Sequence, residues 1–189
     1  MKIIGLVCSP RRNGNTEILV NEALKEAQKN GAETEIIRTT DMQIQPCDGC
    51  AHCHKEGKCR IDDDMQELYK KMLEADAIIL GSPVYFWSVS GQAKLLMDRT
   101  YALRYPYHRL QNKPAGAIVV AGRRGCMSAL SVINNFFLGQ DMLPTGLGIA
   151  GYGDQKGEVL EDTRTVDGAR SLGRQIVDLI KILSRGQRH

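Results

Sequence analysis

Several things are missing from this 189-residue chain, and each absence removes a class of protein. No apolar run approaches the roughly 20 residues that a membrane-spanning helix needs. The N-terminus has no basic region, extended apolar core or small-residue cleavage site of the kind a secretory signal carries, so a cytoplasmic protein is expected. Charge of one sign is also lacking. The net charge is only +3 and the basic residues are scattered, which reads as a mixed solvated surface rather than a nucleic-acid face. Internal repeats and low-complexity linkers are absent too. With 42% hydrophobic and 25% charged residues, the composition is that of a globular chain long enough to bury a core without disulfides. One domain over 1–189 is expected, with 40–61 set apart as a cysteine-rich loop.

The pattern that is present alternates strands with helices. Lys2–Cys8 is a short apolar run of the kind buried on both faces, and it is followed by a polar turn and a helical repeat ending at Asn30-Gly31. Glu33–Thr39 reads as a second strand. Asp62, Asp63 and Asp64 are placed to cap a helix running to about Glu74. Further strands are predicted at Ala77–Leu80, Ala115–Ala121 and around Gly146–Gly151, with helices near Gly91–Tyr101, Ser128–Leu138 and Thr163–Leu183. This order predicts an α/β fold, a doubly wound five-stranded parallel sheet with helices on both faces.

Ligands of such sheets bind outside the carboxyl ends of the strands. Three strand ends here carry unusual loops. Ser9, Asn13, Asn15 and Thr16 gather hydroxyls and amides at a helix start, with Arg11 and Arg12 beside them, and a helix N-terminus favours an anion. The chain has neither G-x-G-x-x-G nor a Gly-Lys-Ser/Thr ending, so the dinucleotide and nucleoside-triphosphate fingerprints are missing. The loop suits a compact phosphomonoester such as that of FMN; an ordinary capped turn is the other reading. Pro83, Val84, Tyr85, Phe86 and Trp87 put aromatics at the next strand end, where a flat ring system would lie, or where core or subunit packing would use them. Gly122, after the fourth strand, lets backbone approach such a ring. Together these loops resemble those of flavodoxin-like NAD(P)H-dependent FMN reductases and quinone reductases.

Cys47, Cys50 and Cys53 are spaced by two residues, and Cys59 follows after five more, with Gly57 providing a turn. Thiols in a reducing compartment read as metal ligands rather than disulfides. Four thiolates in one tight run fit a 4Fe-4S cluster, while tetrahedral zinc is the structural alternative. Four thiolates complete a site, which leaves His52 and His54 facing solvent. Cys8 reads as a small buried residue and Cys126 as a neighbour of the flavin loop.

A compact cysteine motif between the second strand and the next helix is similar to that of the iron–sulfur flavoproteins. The resemblance implies a 4Fe-4S cluster on Cys47, Cys50, Cys53 and Cys59, one FMN per subunit, and a homo-oligomer, dimer or tetramer. In it, cluster and flavin of neighbouring subunits come close. It also implies electron flow from ferredoxin or a similar donor to FMN, and on to oxygen, peroxide or a quinone. The competing expectations are an NAD(P)H-dependent FMN or quinone reductase with zinc or no metal in the cysteine loop, and a flavin- and thiol-based redox sensor. No acid–base or nucleophilic catalytic residue is evident.

Overall fold

The computed structural model describes residues 1–186. Strands β1 (Lys2–Val7), β2 (Glu33–Arg38), β3 (Ala77–Tyr85) and β5 (Pro114–Ala121) lie side by side in the order β2–β1–β3–β5, all parallel. The fifth position is shared by two short strands. β6 (Leu143–Pro144) pairs with the start of β5 and β7 (Ile149–Tyr152) with its end. The sequence predicts one strand over Gly146–Gly151, and the backbone explains the break. Gly146 and Gly148 both have positive φ, and a Cβ on Gly148 would press against the Ala117 backbone. The two-residue β4 (Ser88–Val89) turns back antiparallel on the end of β3.

Successive β-residues point to opposite faces, so a sheet covered on both sides needs apolar residues at both parities. Ile4, Leu6, Ile78, Leu80 and Val119 join one core, formed with helices α3 (Met65–Glu74), α4 (Gly91–Arg99) and α5 (Cys126–Gly139). Ile3, Val7, Ile79, Ile118 and Val120 join the other, formed with α1 (Asn15–Lys29) and α6 (Thr163–Gly186). This is the doubly wound, flavodoxin-like arrangement. No described helix is long and apolar enough to cross a membrane.

Local ties fix the ends of α3 and α4. Ser90 caps α4: its hydroxyl accepts from Ala93 N at 3.2 Å and donates to the Cys8 carbonyl at 2.8 Å, tying the start of α4 to the end of β1. Beyond Arg99 the chain continues as a 3₁₀ turn, Thr100–Arg104. The three aspartates before α3 do less capping than expected. Asp64 occupies the cap position, yet its carboxylate accepts from Gln43 N at 2.7 Å, and Asp63 accepts from Gln45 N at 2.8 Å. They fasten the cysteine-bearing segment to α3.

Candidate functional site

One cavity opens at the carboxyl ends of β1, β3 and β5, as the strand order dictates. Its first wall is the β1–α1 turn: Ser9, Arg11, Gly14, Asn15 and Thr16. Thr16 is buried at the start of α1, where the first-turn N–H groups have no intrahelical acceptor. Arg11 donates to the Asp154 carbonyl at 2.9 Å, and Lys156 adds a second cationic side chain to the rim. The nearest acid of the turn, Glu17, is committed to an ion pair with Arg38 and accepts from Asn13 N at 2.7 Å. Against the one lining carboxylate, Asp154 beside Gly122, stand Arg11, Lys156 and the N–H groups of the turn, a donor-rich and net cationic pocket suited to a phosphate.

Two of the expected residues behave differently. Asn13 sits in the left-handed region (φ 50°), exposed and outside the cavity wall. Asn15 lines the wall but its amide is already occupied. It donates to Gly153 O at 3.1 Å and Gln155 O at 2.8 Å, and accepts from Gly157 N at 2.8 Å. Its role is to hold a fourth strand-end loop, 153–157, against the turn.

The second wall is Pro83, Val84 and Tyr85 at the end of β3. Phe86 does not line it. Phe86 and Trp87 are the two turn residues of the β3–β4 hairpin, both at positive φ (44° and 67°), and Phe86 is 98% exposed. Two-residue hairpin turns need that conformation and usually fill it with Asn or Gly. Bulky aromatics held there are strained, as is common beside ligand sites. Gly122 closes the third wall. A Cβ there would collide with the Asp154 carboxylate, which would have to rotate away. Cys126 stays out of this cavity, buried at the start of α5, where burial raises its pKa. Cys8 is fully buried, which pushes its thiol up to about 12.

A second cavity, of about 210 Å³, is lined by all four clustered cysteines. Cys47 and Cys50 are exposed while Cys53 and Cys59 are half-buried, and all are free thiols. Left-handed turns at Gly49, Ala51 and Gly57 bend the segment around a five-residue helix, α2 (His52–Glu56). Asp48 accepts from Cys50 N at 3.2 Å and pairs with Arg60. Gln66 on α3 donates to Ile61 O at 2.6 Å and Cys59 O at 3.3 Å, fixing the far end. Burial and then the neighbouring thiols raise the pKa of Cys53. His54 lines the same cavity and stacks on Tyr105 at 4.2 Å.

Arg99, at the end of α4, is 1% exposed and lies under this cavity. It forms a two-pronged ion pair with Asp63, donates to Gln45 O at 2.7 Å, and directs Nη2 at Cys59 Sγ from 3.6 Å. Burial is the largest single influence on Asp63 and opposes its charge, but the hydrogen bonds from Arg99, Gln45 N and Met65 N and the charge of Arg99 together hold the carboxyl below its ordinary value. Neither Arg99 nor Asp154 stands out in the sequence as a site residue. For Asp154 a signal exists: Gly153-Asp-Gln-Lys-Gly157 is one more polar, glycine-flanked loop after a strand. For Arg99 there is none, since an arginine ending a helix ordinarily faces water.

The fold and the strand-end cavity define a flavodoxin-like redox protein, and comparison with known proteins makes this specific. Residues 1–153 match the model of the NADPH-dependent FMN reductase family. An iron–sulfur flavoprotein of Methanocaldococcus jannaschii is 43% identical over 98% of this chain and 100% of its own length. One from Methanosarcina thermophila is 31% identical over 99% of each chain. Among solved structures, the NAD(P)H:quinone oxidoreductase of Methanothermobacter marburgensis superposes with a TM-score of 0.72 over 93% of this chain and 96% of that one, at 16% identity, which shows the shared fold. The chain belongs to the iron–sulfur flavoproteins of the FMN reductase family, and is an FMN-dependent oxidoreductase.

Proposed function

We propose that the protein passes electrons from a one-electron donor such as ferredoxin, through a 4Fe-4S cluster, to FMN, and from there to a two-electron acceptor: oxygen, peroxide or a quinone. The observation that carries this is the convergence of Cys47, Cys50, Cys53 and Cys59 on one cavity, separate from the strand-end cavity. Thiolate donors suit iron–sulfide clusters. The four thiols line one space of about 210 Å³. Four thiolates in one short run fit a cluster better than zinc, whose ligands ordinarily come as two separated pairs. Bound, the cluster supplies one-electron transfer, and FMN supplies one- and two-electron chemistry.

On this reading Ser9, Arg11 and Thr16, with the free N–H groups of α1, hold the FMN phosphate. Asn15 holds the 153–157 loop that completes the site. Pro83, Val84, Tyr85 and Gly122 flank the ring. The chain's work is binding and positioning. The two cavities share no wall residue. In a homo-oligomer, dimer or tetramer, the cysteine cavity of one subunit would face the flavin cavity of another. The thiols call for a reducing compartment, which is the cytoplasm.

The FMN reductase family match favours a second reading, in which NADPH reduces the flavin directly. Anaerobic purification decides between them. Brown protein with roughly four irons, matching sulfide and one FMN per chain is expected. Yellow protein with zinc and no sulfide would overturn the cluster. Rapid flavin reduction by NADPH, with none by reduced ferredoxin, would favour the second reading.

A further inference from the structure

We propose that Arg99 is the positioning residue for Cys59, and that its hydrogen bond to that sulfur raises the reduction potential of the cluster; the inference rests on the cluster assigned above. An arginine is seldom fully buried, and burial of its charge is tolerated only with good geometry and satisfied donors. Arg99 meets that condition at its two terminal nitrogens, which reach three parts of the cysteine segment at once, while its buried Nε has no partner. Nη1 bonds Asp63 Oδ2 at 2.5 Å and Gln45 O at 2.7 Å, before the first cysteine. Nη2 bonds Asp63 Oδ1 at 3.0 Å and Ile61 O at 3.5 Å, after the last one. The same Nη2 lies 3.6 Å from Cys59 Sγ. The arginine's backbone is held as well, since Tyr69, whose hydroxyl also neighbours Cys59, donates to its carbonyl at 2.6 Å.

A staple for the loop would need only the bonds to Asp63, Gln45 and Ile61. The contact with Cys59 shares the second Nη2 hydrogen with Ile61 O, and it has an electronic consequence. One-electron reduction adds negative charge to the cluster and its thiolate sulfurs while breaking no bond. A guanidinium N–H directed at one of those sulfurs therefore stabilises the reduced form more than the oxidised one. Cys59 receives this donor from a buried cation, where solvent screens little. Arg60, near Cys50, is exposed and paired with Asp48, so its influence is weaker. Asp63 works in the opposite sense to Arg99, because its charge offsets that of the arginine close to the same sulfur.

The test is a dithionite titration of the anaerobic holoprotein, followed by the electron paramagnetic resonance of the reduced cluster, with R99K and D63N beside the wild type. Lysine keeps the charge but offers one ammonium that cannot span Asp63, Gln45 and Cys59 together. R99K is expected to lower the reduced-to-oxidised ratio at a fixed poise about tenfold, which is about 59 mV for one electron. D63N leaves the guanidinium uncompensated and is expected to raise that ratio. A ratio in R99K within about twofold of wild type, or a fall in D63N, would overturn the proposal, as would loss of fold or iron in both variants, which would leave Arg99 a loop staple. Wild-type protein without iron and sulfide is a different failure. It removes the cluster itself and is seen before any variant is made.

Discussion

At the scale of single residues, Gly122 shows how a missing side chain makes room for a group from far along the chain. A methyl group there would push the Asp154 carboxylate aside. Because that carboxylate ends a side chain that can rotate, G122A is expected to unfold at nearly the wild-type urea concentration. The displaced carboxylate would instead enter the cavity and weaken FMN about tenfold, ~1.4 kcal/mol, by fluorescence titration. Unchanged affinity would place the ring away from Gly122. Glu35 on β2 gives a second residue-scale case. Lys71 Nζ reaches it at 2.6 Å and Lys2 Nζ at 3.1 Å. The Lys71 hydrogen bond, helped by Lys2 and opposed by partial burial, lowers its pKa. A carboxyl whose native pKa is depressed contributes stability above its unfolded value of about 4.3 and loses it as the pH falls through the native value. E35Q should therefore be less stable than wild type at pH 7, by at most about 1 kcal/mol for so exposed a cluster. Urea unfolding at pH 3 should show the gap closed; an equal gap at both values would mean that packing, not charge, is responsible.

Among the elements, the tightest contact is between α1 and α6. A Cβ on Gly173 would strike the Ala23 carbonyl. Backbone on both sides leaves nothing to rotate away, so G173A must pry the two helices apart. The expected loss is about 3 kcal/mol, seen as a lower urea midpoint at unchanged slope. A loss below about 0.5 kcal/mol would mean that the helices part without cost. The β3–β4 hairpin makes the opposite kind of statement. Its Phe86-Trp87 turn carries backbone strain that Asn-Gly would relieve, and Gly125 packs under it with only 3.1 Å between a would-be Cβ and the Trp87 Cα. An element that keeps aromatics where they are strained and exposed is positioned for contact with something other than its own core.

For the whole molecule, occupancy of the strand-end cavity is coupled to folding, because a ligand that binds only the native state stabilises it by mass action. FMN at about a hundred times its dissociation constant should raise the unfolding free energy by ~2.7 kcal/mol. Riboflavin at the same concentration lacks the phosphate that the α1 turn, Arg11 and Lys156 are arranged to receive, and should raise it less. Equal shifts from the two ligands would show that the phosphate is held elsewhere.

The sequence alone determined the sheet and its helices, because those arise from local patterns: apolar runs at β1, β3 and β5, a 3.6-residue period through α1, and Asn30-Gly31 stopping it with Gly31 at φ 95°. It also determined the four thiols as a set, since their spacing lies within one short segment. What only the tertiary structure decided are the partners brought together from distant positions. Arg11 meets the Asp154 carbonyl across 143 residues, and Asn15 spends its amide on the 153–157 loop rather than on the phosphate turn. Arg99 reaches Cys59 across 40 residues and is buried where its place at a helix end predicts exposure. Periodicity records which face of an element is apolar. It does not record which polar group on another element will fill the last hydrogen bond, and that choice is made only when the sheet and its covering helices close.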